Sequence, residues 1–307
     1  MARKIGRRET FRRSLKEGGP LSLKSHPSKK REGEIMKIAN TSVVTMAPTT
    51  PIYDAVQIMG KQGFRRMPIS DPGTRRLLGI ITATDIVNYL GGGDKFQIVQ
   101  RKYAGNFYKA INEPVKTIMT RDAVSVLSTA GLEEAIRLMI ERNVGGLPVV
   151  DEEGKIWAII TERDVINLFR GKISGVKIAE VMSKKLITAN SATTIFEAVK
   201  TMTTQGFRRL PIISDKKLVG IVTVMDILRF FGSKQVFQHL RSGTITQVLQ
   251  TQIMEIATKN VVTVEPEMDV GFAAKLMQEN DIGALPIVED NRLVGIITER
   301  DFFKIIT

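Results

Sequence analysis

The 307-residue chain is expected to be an α+β protein built from four copies of one β-α-β-β-α unit, paired into two tandem modules. Three observations predict this. A seven-residue corner occurs four times: Gly79-Ile-Ile-Thr82-Ala-Thr-Asp85, Ala158-Ile-Ile-Thr161-Glu-Arg-Asp164, Gly220-Ile-Val-Thr223-Val-Met-Asp226 and Gly295-Ile-Ile-Thr298-Glu-Arg-Asp301. Each corner follows a proline, Pro68, Pro148, Pro211 or Pro286, by a similar distance. Each proline in turn follows an apolar stripe with the i, i+3, i+4, i+7 spacing of one buried helix face.

Each unit opens with Ile-Met or Val-Met, at Met36, Met119, Met182 and Met254. A short β-branched strand ending in a hydroxyl comes next: Thr45, Ser125, Thr188 and Thr263. The helix then carries Ile52/Ala55/Val56/Met59, Leu132/Ala135/Ile136/Met139, Ile195/Ala198/Val199/Met202 or Val270/Ala273/Ala274/Met277. At that spacing the methionines are core residues. A proline-led strand, a turn of Asp, Gly, Ser or Asn residues and the corner strand complete the unit. The corner itself reads as a buried strand meeting a helix, with Thr as N-cap and Asp three residues on. A helix start of this kind presents backbone N–H groups and suits phosphate or ribose.

Units differ in a regular way. Units 1 and 3 share Gln62-Gly63-Phe64-Arg65-Arg66 and Gln205-Gly206-Phe207-Arg208-Arg209 before the proline strand. Units 2 and 4 have Gly145-Gly146 and Gly283-Ala284 there, and only they carry Thr-Glu-Arg-Asp corners. Odd matches odd and even matches even, as expected of a two-unit module that duplicated whole. A sheet covered by helices on one face leaves the other bare, so units should pair. The expected division is a basic disordered tail over 1–34, one pair over 35–172 (units at about 35–90 and 114–170) and a second over 173–307 (units at about 177–231 and 251–307).

Composition narrows the function. Cysteine is absent, which removes disulfides and thiol catalysis and fits a reducing cytoplasm. No apolar run is long enough for a membrane span, and no apolar stretch follows the basic N-terminus as a secretory signal would need. The net charge is +13, and residues 1–34 hold eleven Lys/Arg against four Asp/Glu. Such a tail is a candidate for nucleic acid or an acidic partner. Neither a phosphate-binding Gly-x-x-x-x-Gly-Lys loop nor a Gly-x-Ser-x-Gly elbow occurs, and the two histidines suggest no metal site.

On the four corners, in phase with the proline strands and the methionine-stripe helices, the chain resembles the cystathionine β-synthase (CBS) domain family from residue 35 to 307. The resemblance implies two Bateman modules, each with two clefts, in an arrangement like the gamma subunit of AMP-activated protein kinase and stand-alone archaeal CBS proteins. It implies a non-catalytic regulator binding AMP, ADP or ATP, with S-adenosylmethionine and its relatives as the alternative ligands, and no required cofactor. Carried over residue by residue, the ribose carboxylates are Asp85, Asp164, Asp226 and Asp301. Hydroxyls at the ligand are Thr82, Thr161, Thr223 and Thr298, with Thr45, Ser125, Thr188 and Thr263 ending the first strands. Phosphate falls to Arg65, Arg66, Arg208 and Arg209. Even units lack those arginines, and Arg163 and Arg300 stand as substitutes. The expected partners are an adenine nucleotide, a protein of unknown identity and, through residues 1–34, nucleic acid; a homodimer is compatible with the resemblance. The competing readings are a nucleic-acid-associated protein regulated by its CBS modules, and a scaffold with empty clefts.

Overall fold

A computed structural model describes residues 22–23, 33–240 and 243–306 of the chain. The expected basic tail lies outside the described residues, apart from Ser22–Leu23, which pairs antiparallel with Val43–Val44, and the start of unit 1 at 33–34. Among the described residues no helix is long and apolar enough to cross a membrane.

The four units appear as the repeated pattern requires. Their first helices are Ile52–Gln62, Leu132–Glu141, Ile195–Gln205 and Val270–Glu279, and every stripe residue except the half-buried Leu132 is buried. Each proline-led strand pairs antiparallel with its corner strand: Arg66–Ser70 with Leu77–Thr82, Gly146–Val150 with Ile156–Thr161, Arg209–Ser214 with Lys217–Thr223, and Ala284–Glu289 with Arg292–Thr298.

The first strand is shorter than expected. In units 1, 3 and 4 it is one parallel bridge, at Met46, Ala189 and Val264, one residue past the hydroxyl. Unit 2 keeps two residues, Val126–Leu127. The proline explains this. The Met46, Ala189 and Val264 amides donate to the carbonyls of Pro68, Pro211 and Pro286. A strand residue points its N–H and C=O to the same side, so the proline faces the first strand and has no N–H to extend the ladder.

The opposite edge of each sheet, the corner strand, is covered by the pair-mate. Thr120–Arg121 of unit 2 pairs with Gly79 and Ile80 of unit 1, and Asn40 of unit 1 bridges Ile159 of unit 2. Thr258 of unit 4 bridges Ile221 of unit 3, and Ser183 of unit 3 bridges Ile296 of unit 4. This register corrects the alignment of the opening methionines. Met119 and Met182 precede the bridging residue, whereas Ala39 and Ala257 hold that place in units 1 and 4. Met36 and Met254 lie three residues earlier, one helical turn away. The shared anchors are instead Ile35, Val115, Ile178 and Ile253, all fully buried. The crossing also accounts for the corner's glycine: a Cβ on Gly79 would stand 2.5 Å from the Thr120 carbonyl oxygen.

Units 1 and 3 share one apolar core, running from Val44 to Ile253. Units 2 and 4 have separate cores but exchange their last turns: Phe303 of unit 4 sits in the core of unit 2, and Ile166 of unit 2 sits in that of unit 4. The inter-unit segments helical in expectation are Phe96–Tyr103 and Phe107–Ile111 in the first pair, and Lys234–His239 and Ile245–Leu249 in the second. They meet across the molecule, with the Phe107 amide donating to the Gly243 carbonyl and the Ile245 amide to that of Gly105.

Candidate functional site: four corners around an arginine cluster

All four corners are reciprocal capping boxes. The Thr82 amide and hydroxyl both donate to Asp85 Oδ2, at 2.9 and 2.6 Å. Thr161 does the same to Asp164 Oδ2 (2.8 and 2.7 Å), Thr223 to Asp226 Oδ2 (2.9 and 2.7 Å) and Thr298 to Asp301 Oδ2 (2.8 and 2.9 Å). Each carboxylate therefore commits one oxygen to the cap and keeps Oδ1 for another task. A capping role and a ligand role do not compete, because they use different oxygens.

What faces each corner is the pair-mate's opening segment. Ser183 Oγ stands 3.5 Å from Asp301 Oδ1. By the strand register, Thr120 holds the matching place opposite the Asp85 corner, Thr258 opposite Asp226 and Asn40 opposite Asp164. These four polar residues face the corners from the pair-mate and were not singled out in the sequence reading. The signal was present as a polar residue five positions after each buried anchor, but it was masked by the misplaced methionines. Of the first-strand hydroxyls, Thr45 is buried and accepts a hydrogen bond from Ser70 Oγ at 3.0 Å. Thr188 lines a shallow cavity of about 360 Å³ with Ala189, Asn190, Glu197 and Leu210. Ser125 is half-buried and Thr263 exposed.

The arginines converge. Arg66 and Arg209 lie across the strand pair from the corner residues Thr82 and Thr223. With Arg65, Arg208, Arg163 and Arg300 they surround two buried carboxylates, Glu299 and Glu162, each 4% exposed. Glu299 of unit 4 is ion-paired with Arg65 of unit 1 and, at 2.9 Å, with Arg163 of unit 2. Glu162 of unit 2 stands 3.6 Å from Arg208 of unit 3 and 3.6 Å from Arg300 of unit 4. This clarifies the odd–even alternation. A Cβ on Gly146 would overlap the Arg66 guanidinium, and one on Gly283 would stand 2.5 Å from that of Arg65. Gly145, Gly146 and Gly283 stand where odd units have arginine because the odd arginines lie in that space, and Ala284 is the small residue at the fourth position. The Glu of Thr-Glu-Arg-Asp, found only in even units, is their counter-charge.

Positive charge is in excess here. Burial first, and then Arg208, pull the Arg66 guanidinium down to about 10; burial and Arg65 do the same to Arg209. Burial alone would raise the Glu299 carboxyl, but Arg65, Arg163 and Arg209 overcome it and hold it at about 2. Two cations are thus held under strain beside an anion held firmly ionised. Arg66 Nη1, Arg163 Nη2 and Glu162 Oε1 are buried with no hydrogen-bond partner, an uncommon state for such atoms. Arg209 Nη1 donates to the Gly283 carbonyl at 2.6 Å. Arg163 and Arg300 are otherwise engaged: Arg163 pairs with Asp281, and Arg300 donates to Asn143 and to the Met139 carbonyl. Among the described residues no group of His, Cys, Asp and Glu could hold a metal ion.

Comparison with known proteins agrees with this geometry. Protein MJ1225 of Methanocaldococcus jannaschii is 38% identical over 88% of this chain and 98% of its own length. Its crystal structure, described as a candidate archaeal homologue of g-AMPK, superposes with a TM-score of 0.85 over 89% of this chain and 99% of that one. A 33.4 kDa protein encoded in the ribosomal RNA operon of Thermofilum pendens is 34% identical over 81% of this chain and 83% of its own. A Pyrococcus horikoshii structure, 22% identical with a TM-score of 0.59, shares the fold. The CBS domain model matches residues 33–92, 115–171, 178–233 and 253–307, so the chain belongs to the CBS domain family, with four copies of the domain.

Proposed function

We propose that the protein is a non-catalytic, cytoplasmic regulator that binds adenosine-containing ligands in the clefts between paired units and passes the bound state to a partner. Residues 35–172 and 173–307 are the two ligand-binding modules in this reading. The observation that carries it is that four aspartates cap their helices through Oδ2 alone, leaving Oδ1 outside the cap, each set against a polar residue of the pair-mate around a shared arginine cluster. A carboxylate oxygen beside a hydroxyl suits a ribose diol. The buried guanidiniums of Arg66, whose Nη1 has no hydrogen-bond partner, and Arg209 suit a phosphate, which would offset the repulsion each meets from Arg65 and Arg208. AMP, ADP and ATP follow from that charge, and the likeness to a candidate g-AMPK homologue points the same way. S-adenosylmethionine, which is cationic at sulfur, suits the arginine cluster poorly.

The test is thermal unfolding of the purified chain with adenosine, AMP, ADP, ATP or S-adenosylmethionine. A ligand at a hundred times its Kd stabilises the fold by about 2.7 kcal/mol, roughly 5–10 °C in melting temperature. Arg66→Ala and Arg209→Ala are expected to weaken AMP and ATP about tenfold or more and to leave adenosine nearly unchanged. Equal losses for adenosine and AMP would remove the arginines from the phosphate site. No shift with any adenosine compound at millimolar concentration would leave the scaffold reading.

A further inference from the structure

The four corners are alike in their caps but differ in what covers Asp Oδ1. At Asp85, Lys95 Nζ donates to Oδ1 at 2.6 Å and to the Ile118 carbonyl at 2.6 Å. At Asp301, Lys304 Nζ donates to Oδ1 at 2.7 Å and to the Val181 carbonyl at 2.7 Å. Ile118 and Val181 are equivalent residues, each just before the opening methionine of the facing unit. An ammonium therefore bridges corner and opening segment in the same place in both clefts. It arrives by different routes: Lys95 follows its aspartate by ten residues, from the inter-unit segment, and Lys304 by three.

Among the described residues the other two corners lack this bridge. Among the described residues Asp226 Oδ1 meets only Arg229, at 3.4 Å from a half-exposed side chain whose Nε also reaches the Gly60 carbonyl at 3.4 Å. An exposed contact of that length contributes little. Asp164 has Thr161 as its hydrogen-bond partner through Oδ2, and no cation lies on its Oδ1 among the described residues. The residue three past it is Asn167, exposed and uncharged. Its carboxyl is raised by burial, partly offset by Thr161. Each module thus contains one covered and one uncovered corner: Asp85 with Asp164, and Asp301 with Asp226.

We infer that Lys95 and Lys304 determine which clefts accept a ribose, so that the Asp164 and Asp226 corners are the ready sites and the Asp85 and Asp301 corners are closed by a lysine until it is displaced. The inference rests on the proposed adenosine-binding function and adds to it a site order. A ribose diol needs the carboxylate oxygen that the ammonium occupies. The ammonium also ties that oxygen to the opposite wall, across the mouth the nucleoside must enter. Displacing it breaks two charge-assisted hydrogen bonds at carboxylates that are 16% and 8% exposed. A penalty of about tenfold in affinity, or more, is the expected consequence.

Isothermal titration of the full chain with AMP, joined to equilibrium dialysis for stoichiometry, tests this. The wild type is expected to show two tighter sites and two weaker by about tenfold or more. Asp164→Ala and Asp226→Ala should each remove one tight site. Lys95→Met and Lys304→Met, which keep an unbranched side chain one atom shorter and without charge, should each turn one weak site into a tight one, and the double variant should show four. Four equal sites in the wild type, loss of a tight site on Asp85→Ala, or weaker AMP binding in the lysine variants would overturn the inference while leaving the proposed function standing. Absence of binding in both the wild type and the double lysine variant would remove the proposed function itself. Reductive methylation without nucleotide reads the latch directly. Lys95 and Lys304 should label slowly and accelerate several-fold in Asp85→Asn and Asp301→Asn; fast labelling of both in the wild type would refute the bridge.

Discussion

The seam between units 1 and 3 and the seam between units 2 and 4 are built from equivalent elements and held by different physics. In the odd seam, helices Ile52–Gln62 and Ala83–Gly91 pack on Val224–Phe231 and Ile195–Gln205 to form one continuous core. Small residues allow the approach: a Cβ on Gly91 would stand 2.8 Å from Val199, and one on Gly232 2.7 Å from Val56. The even seam has two cores joined by exchanged ends, Phe169 lying 5.8 Å from Phe302, and by Arg163 and Arg300 reaching into the facing unit. Apolar burial is non-directional and tolerates sliding, whereas a guanidinium on a buried carboxylate fixes a register. The contrast teaches that the odd seam draws its stability from one continuous apolar core, and that the even seam draws its register from charges it shares with the arginine cluster.

The largest expected effect is at the odd seam. Phe231 is 1% exposed, within the shared core of units 1 and 3. Phe231→Ala should cost about 3–5 kcal/mol by lost burial and the cavity left behind. Denaturant unfolding should then show both odd units failing together. A loss under about 1 kcal/mol, or a first transition confined to one odd unit, would mean that the cores are separable.

Next in size is the buried carboxylate of the even units. Glu299→Gln removes the buried counter-charge of Arg65 and Arg163, leaving Arg163 only its exposed partner Asp281, and breaking a buried pair from one side costs about 3–5 kcal/mol. Glu162, with contacts at 3.6 Å rather than within bonding distance, should cost less on Glu162→Gln, about 1–2 kcal/mol. Equal losses would erase the asymmetry between the two halves of the cluster. The acid limb sharpens this. Glu299 is held at about 2, below its ordinary 4.5, so its stabilising contribution is fully present above about 4.5 and disappears as pH falls toward 2. The stability gap between the wild type and Glu299→Gln should therefore narrow across that window. A gap that stays constant would place the effect in packing rather than charge.

Much of this was legible in the sequence and some was not, for physical reasons. The stripes Ile52/Ala55/Val56/Met59 and Ile195/Ala198/Val199/Met202 announce their helices because a one-sided apolar face repeats every 3.6 residues. The corners were legible because a Thr cap and its Asp are local in sequence. Glu162 and Glu299 were missed, although the complementary pattern was visible as Arg-Arg in odd units against Glu-Arg in even ones. Pairing them required knowing that four chain segments far apart in sequence meet at one point. Lys95 was invisible for a similar reason, since its partner lies ten residues away across an unpatterned segment, and the truncated first strand followed from a proline's direction, which periodicity does not encode.

The smallest effect concerns the rim of the even seam. Asp281 pairs with Arg163, whose guanidinium also holds Glu299, but Asp281 is 63% exposed where Glu299 is 4%. Burial would lower the Arg163 guanidinium, yet Glu299 and Asp281 together raise it. If the buried partner dominates, removing the exposed charge should matter little. Asn is the right replacement, because Asp281 has a φ of +54, a left-handed conformation that Asn tolerates and Ala does not. Asp281→Asn is expected to cost under about 1 kcal/mol and to become indistinguishable from wild type in high salt, which screens a surface pair. A loss as large as that of Glu299→Gln, persisting in high salt, would show that Arg163 is positioned from the rim. The contrast between a buried carboxylate that fixes the even seam and an exposed one that decorates it would then fail.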